Sequence, residues 1–160
     1  MARAYIALGS NLQQPEVQVR RAFDELSSLP QTKLVRASSL YRTEPVGYDN
    51  QPDFINAVAE VDTTLEPLAL LRAILALENL HGRERPFPNA PRVLDLDLLF
   101  YDGIALQTQE LTLPHPRMHE RGFVLLPLAE IAAELDIPGY GKVSDLAQDC
   151  MDQGIERMAD

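Results

Sequence analysis

Apolar positions along the chain recur with two different periods. Residues 3–11, RAYIALGSN, form a short apolar run closed by Gly9, Ser10 and Asn11, which predicts a strand entering a tight loop. In PEVQVRRAFDELSSLP (15–30), Val19, Ala22, Phe23 and Leu26 repeat at helical spacing between Pro15 at the start and Pro30 at the end. TKLVRASSLYRT (32–43) reads as one extended strand, with Leu34, Arg36, Ser38 and Leu40 on one face, and FINAVAEVDT (54–63) as another. The clearest helix is EPLALLRAILALENLHG (66–82), with Leu70, Leu71, Ile74, Leu77 and Leu80 on one stripe and Gly82 as the stop. RVLDLDLLFYDG (92–103) reads as a strand and GIALQTQELTLPHP (103–116) as a short hairpin arm. MHERGFVLLPLAEIAAEL (118–135) predicts a helix interrupted at Pro127, and 144–148 a last short helix.

The order β-α-β-β-α-β, followed by helices, predicts an α+β fold: two layers built on a mainly antiparallel sheet. Two stretches have no periodicity. TEPVGYDNQPD (43–53) is long for a simple connection, and RERPFPNAP (83–91) carries three prolines. Aperiodic loops of this length are where binding chemistry concentrates.

Charge narrows the choice of ligand. Of 160 residues, 24 are acidic and 14 basic, a net charge of −10, and residues 122–160 alone hold 8 acidic against 2 basic side chains. That distribution argues against a sequence-independent nucleic-acid binder, which needs a clustered positive surface. Twelve of the basic residues are arginine, so a local cluster can still fork around a phosphorylated small molecule. No apolar run approaches the length of a membrane span, and the single Cys150 excludes an intrachain disulfide. A single cytoplasmic domain over 1–160 is expected.

The strand 92–103 carries the chemistry. Asp95 and Asp97 are two apart, so their side chains share one face while Leu94, Leu96 and Leu98 point to the other. Paired carboxylates of this kind suit a divalent cation that keeps room for water and phosphate oxygens. On spacing alone, a solvated sheet face is the favoured explanation. Arg83, Arg85 and Arg92 flank the proline-rich loop just before the pair, the complement a metal–polyphosphate site needs. His115 sits between two prolines, close to Arg121. His119 reads as a structural hydrogen-bonding residue, and Glu78 lies one turn before the arginines.

Taken together, YIALGSNL (5–12), SSLYRTEPVGYDNQPDFINAV (38–58), LENLHGRER (77–85), PRVLDLDLLFYDG (91–103) and LPHPRMHERGFVLLPLAEIAAEL (113–135) resemble the 6-hydroxymethyl-7,8-dihydropterin pyrophosphokinases of folate synthesis. The resemblance implies an α/β/α sandwich with a ferredoxin-like βαββαβ core. It implies transfer of the β,γ-diphosphate of ATP to the pterin hydroxymethyl oxygen, release of AMP, two Mg²⁺ ions and a monomer. Carried over by motif, Asp95 and Asp97 would hold both ions. Arg83, Arg85, Arg92, His115 and Arg121 would surround the nucleotide phosphates, Arg83 and Arg92 acting in catalysis, with Glu78 and Leu98 beside the nucleotide. Thr43, Pro45, Val46, Phe54, Asn56 and Phe123 would form the pterin pocket. The chain departs from the family pattern at Phe54, Asn89 and Pro116, where tyrosine, tryptophan and tyrosine are found in other members. A different two-metal hydrolase and a non-catalytic ligand-binding module are the competing readings.

Overall fold

The computed structural model describes residues 1–12, 14–44, 51–81, 93–151 and 153–158. The core follows the expected order: β1 (Ala2–Ser10), α1 (Pro15–Ser27), β2 (Thr32–Ala37), β3 (Tyr41–Thr43), β4 (Phe54–Thr63), α2 (Pro67–Leu80) and β5 (Asp95–Tyr101). A short hairpin, β6 (Leu106–Gln107) and β7 (Thr112–Leu113), leads to a 3₁₀ turn at Met118–Glu120 and α3 (Gly122–Ala132). The chain ends in β8 (Asp136–Ile137), β9 (Gly141–Lys142), α4 (Val143–Gln148) and β10 (Ile155–Arg157).

The main sheet runs β10-β3-β4-β1-β5, with β2 also on β4, and its pairings are antiparallel. β1 and β4 are central, and each of the two crossover helices returns to the sheet one strand beyond, the split βαβ arrangement of a ferredoxin-like core. Because β1 is covered on both sides, Ala4 through Asn11 are all buried, and its pattern is a run rather than an alternation.

The two faces differ. On one, Ile6, Leu8, Ala57 and Val61 pack against Val19, Leu26, Leu70 and Ile74 of α1 and α2. On the other, Tyr5, Val58, Leu99 and Phe100 pack against Val124, Leu125 and Leu128 of α3, with Val143 and Ala147 of α4. The third layer that makes the sandwich therefore comes from α3 and α4, which the strand–helix order alone had not assigned to a face. His81, at the end of α2, is wedged between Gln18 Oε1 (2.6 Å) and Glu25 Oε1 (2.5 Å) of α1, which fixes where the chain leaves that helix.

Three local expectations are corrected. The stretch 32–43 is two strands, not one. A register shift between Leu34 and Arg36 puts Leu34 on the first core and lets Arg36 donate to the Ile131 carbonyl of α3. Ser38 then replaces a ladder bond with its side chain, its Oγ accepting from Val58 N–H at 2.9 Å. The break in 118–135 falls at Arg121, which is extended, while Pro127 is accommodated inside α3. Leu80 ends the apolar stripe of α2 but is 73% exposed, because the covered face of the last turn runs through Leu77, Glu78 and His81 and leaves residue 80 on the outer side.

Glu130 of α3 fastens the break between β2 and β3. Its carboxylate accepts from Ser39 N–H and Oγ–H at 3.0 Å and from Tyr41 O–H at 2.8 Å. Burial, and then the hydrogen bond to Glu130, pushes the Tyr41 hydroxyl well above its ordinary range. Glu130→Ala should lower the urea midpoint at unchanged m-value, a loss of about 2 kcal/mol, because these part-buried donors are left without their acceptor.

Candidate active site

The site lies where α3 and α4 leave the second sheet face uncovered, and β5 supplies its acidic edge. Asp95 and Asp97 are half-buried on that face, while Leu96 and Leu98 are buried in the core on the other. Across the ladder they stand opposite Gly9 and Ala7, two of the smallest side chains available, so the floor beneath the carboxylates is low. Gly9 is required for a second reason: a Cβ there would lie 2.9 Å from Asn56 Oδ1. The sequence signal GSN thus marks the site floor, and β1 runs on through Gly9 and Ser10.

Glu78, placed by the sequence reading beside the nucleotide, is buried between α2 and β5. Its Oε2 accepts from Leu96 N–H at 2.6 Å, the amide between the two aspartates. Neither cavity described below is lined by it. The outer edge of an edge strand presents unpaired amides, and Glu78 takes one of them at the point where strand geometry matters most.

A β-bulge connects this strand to the histidine. Tyr5 pairs with Phe100 and Ile6 with Leu98, so Leu99 is the extra residue, and its carbonyl accepts from His115 N–H at 2.8 Å. Bulges of this kind re-aim a strand near a binding site. His115 Nδ1 accepts from Arg117 N–H at 3.2 Å, which leaves the ring proton on Nε2. Burial, and then the Arg121 and Arg117 charges, lowers the imidazole pKa to about 4, with Asp95 opposing. At neutral pH His115 is therefore an uncharged donor.

The facing wall comes from β3, β4 and the start of α3. Asn56 Nδ2 donates to Thr43 Oγ1 at 2.8 Å, forming a polar pair in the wall. Phe54 and Phe123 line the same space, and the Arg121 guanidinium sits 5.5 Å from the Phe123 ring centroid, within cation–π range. Together these groups enclose a cavity of about 550 Å³. A second cavity of about 260 Å³ opens beyond β5, bounded by Leu71, Leu98, Thr112 and Pro116. Asp97 and His115 line both.

The structure thus brings together Thr43, Phe54, Asn56, Asp95, Asp97, His115, Arg121 and Phe123, with Leu98 in the adjoining cavity. Pro45, Val46, Arg83, Arg85 and Arg92 lie outside the described residues. His119 stacks on Tyr140, centroids 3.7 Å apart, and does not line either cavity. Sequence reasoning missed Glu44, Arg117, Glu120, Gln153 and Ile155 as lining residues. Arg117 and Glu120 fall inside a motif already singled out, but nothing in the tail's composition brings Gln153 or Ile155 to this cavity.

Among the described residues no group of three or more metal-ligating side chains occurs. A pair of carboxylates on one strand face is nevertheless a fitting donor set for Mg²⁺, which keeps several waters and takes one or two carboxylates along with substrate phosphates. The absence of histidine or thiolate clustering is the wrong chemistry for a closed zinc site.

Comparison with known proteins gives the same direction. Residues 5–133 match the family described as 7,8-dihydro-6-hydroxymethylpterin-pyrophosphokinase. The chain is 44% identical over 156 residues to 2-amino-4-hydroxy-6-hydroxymethyldihydropteridine pyrophosphokinase of Pseudomonas aeruginosa, covering 98% of this chain and 96% of that one. It is also 44% identical over 158 residues to the protein of the same name from Haemophilus influenzae, with 99% of each covered. In fold it is similar to the HPPK-DHPS of Plasmodium falciparum crystallised with pterin and p-hydroxybenzoate (TM-score 0.75, 17% identity), matching 98% of this chain and 46% of that one. The chain therefore spans just under half the length of those larger structures. With nearly half its residues shared along almost the whole length of its bacterial relatives, this chain belongs to the 7,8-dihydro-6-hydroxymethylpterin-pyrophosphokinase family.

Proposed function

We propose that this chain transfers the β,γ-diphosphate of ATP to 6-hydroxymethyl-7,8-dihydropterin, giving the pterin diphosphate and AMP, as a step of folate synthesis. The observation that carries the proposal is that Asp97 and His115 line both cavities, so ligands in the two would meet at the carboxylate pair. Family membership narrows those ligands to a pterin and a nucleotide.

The larger cavity suits a flat, polar-edged ring. Phe54 and Phe123 offer aromatic faces, and Asn56 with Thr43 offers donors and acceptors for the ring's edge. The apolar Leu71 and Leu98 of the smaller cavity suit the nucleotide, whose phosphates would then pass Asp97 toward the hydroxymethyl group. In the reaction the hydroxymethyl oxygen bonds to the β-phosphorus, the bond from that phosphorus to the α,β-bridging oxygen breaks, and the hydroxyl proton is lost. Two Mg²⁺ ions held by Asp95 and Asp97 would neutralise the phosphate oxygens on which charge accumulates. His115 Nε2–H and the Arg121 guanidinium, which line the larger cavity, would donate to phosphate oxygens. Arg83, Arg85 and Arg92 complete the proposed phosphate site, with Arg83 and Arg92 in catalysis, and Pro45 and Val46 the pterin site. Glu78 serves the nucleotide indirectly, by holding β5. The proposal takes 1–160 as one domain acting as a cytoplasmic monomer. Among the described residues no helix is long and apolar enough to cross a membrane.

Incubated with ATP, Mg²⁺ and the pterin, the protein should yield AMP and a diphosphorylated pterin by mass spectrometry, and EDTA should stop the reaction. ADP or inorganic phosphate as the product would overturn the reading. Asp95→Ala and Asp97→Ala should each reduce kcat by roughly 10³-fold or more, the scale for losing a preorganised charge-stabilising group. Their urea midpoints should not fall, since each removes one of two mutually repelling charges. A proton NMR titration of the free protein should place His115 near about 4 rather than 6.5. Because the unfolded chain then takes up this proton more readily, His115 contributes stability above pH 6.5 that is lost as the pH falls toward 4.

A further inference from the structure

The family match ends at residue 133, yet the chain beyond it returns to the site. After α4 the backbone crosses the start of α3, and β10 adds to the sheet beside β3 with Ile155 opposite Thr43. Gln153 and Ile155 both line the larger cavity. Gln153 also straddles the turn that carries Arg121. Its Oε1 accepts from Gly122 N–H at 3.0 Å, and its Nε2 donates to the Glu120 carbonyl at 3.3 Å.

The Gly122 amide is one of the N-terminal donors that a helix cannot satisfy internally, and the N-cap of α3 makes no side-chain hydrogen bond to it. Gln153 supplies that cap from 31 residues away. The packing is close. A Cβ on Gly122 would stand 2.5 Å from Ile155 Cδ1 and 3.0 Å from both Cys150 Cβ and Gln153 Oε1, so only glycine lets the tail seat here.

We propose that this C-terminal strap is a working part of the substrate site. Gln153 is the positioning residue for Arg121 and Phe123, and Ile155 is an apolar wall of the pterin pocket. The assignment rests on the pyrophosphokinase reading of the cavity. The backbone bonds at Glu120 and Gly122 bracket Arg121 on both sides, and Phe123 follows directly. Arg121 stacks over Phe123, so a shift of this turn moves the phosphate-facing and ring-facing groups together. Misplacing such groups by about 1 Å is enough to cost on the order of 10²-fold in rate.

Full-length Gln153→Ala, Gln153→Glu and Ile155→Ala test it. The measurements are the binding of 6-hydroxymethyl-7,8-dihydropterin by its fluorescence and steady-state kinetics with each substrate varied, at a temperature where circular dichroism shows every variant folded. Ile155→Ala should weaken pterin binding roughly 10-fold, the scale of a lost apolar wall contact, with kcat and the KM for ATP within about twofold of wild type. Gln153→Ala should weaken pterin binding and also lower kcat roughly 10-fold or more. Gln153→Glu keeps the acceptor for Gly122 but sets a carboxylate oxygen against the Glu120 carbonyl in place of the donor, so it should not restore wild-type pterin binding or kcat. If the two alanine variants bind and turn over the pterin as wild type does, the strap only holds the fold together and the proposal is wrong. Normal pterin binding by a wild-type protein that forms no pterin diphosphate would overturn the proposed reaction but leave the wall assignment to the binding data. A wild-type protein that binds no pterin would overturn both.

Discussion

Everything at this site depends on holding two like charges side by side on one strand. At the roughly 7 Å spacing of same-face strand neighbours, two carboxylates repel by roughly 0.6–2.4 kcal/mol for effective dielectric constants of about 80 to 20. The opposite face of the same strand outweighs that. Leu96 and Leu98 are each all but fully buried, and such side chains contribute about 1.5–3 kcal/mol apiece. Burial of the two leucines therefore contributes more than that repulsion costs. Glu78 adds a bond to the Leu96 amide from the outer edge, so the segment between the aspartates is held by α2 as well as by β1.

The other half of the constraint is space. A sheet covered by helices on both faces has no room for substrates, and this one makes room by stopping short. Helices α3 and α4 cover Tyr5, Val58 and Phe100 and reach Ala7, but leave Gly9, Asn56 and the aspartates to line the cavity. The small residues of β1 lower the floor, and the bulge at Leu99 ties β5 to the segment bearing His115. The walls come from strands β3 and β4, the turn at Arg121 and the returning tail. The base of such a site has its geometry set by the sheet, and its rim is built from segments that meet only after folding.

A neutral His115 beside two arginines fits that division. Its bond from the Arg117 amide fixes the tautomer, and its burial keeps it uncharged, so it offers a directed hydrogen bond without adding to the positive charge of Arg117 and Arg121. On the proposed phosphate side, charge would come from the guanidinium groups and direction from the imidazole.

The sequence by itself determined the elements with a strong internal period and the residues whose chemistry repeats within one element. Helices α1 and α2, the strands β1, β4 and β5, and the shared face of Asp95 and Asp97 all follow from side-chain periodicity, a property of the local backbone. His115 and Arg121 stood out because they lie in one short contiguous segment, whereas Phe123 was assigned to the pocket only through the family resemblance. Tertiary structure decided the rest. The split of 32–43 into β2 and β3 depends on Glu130 of α3 and on Ser38 meeting Val58, contacts between distant segments. The turn of Glu78 away from both cavities depends on β5 having an open edge for it to cap. The arrival of Gln153 and Ile155 at the larger cavity depends on where α4 sends the chain. Local pattern carries the direction in which a side chain points. What it points at is set by packing between segments far apart in sequence, and composition holds no record of that.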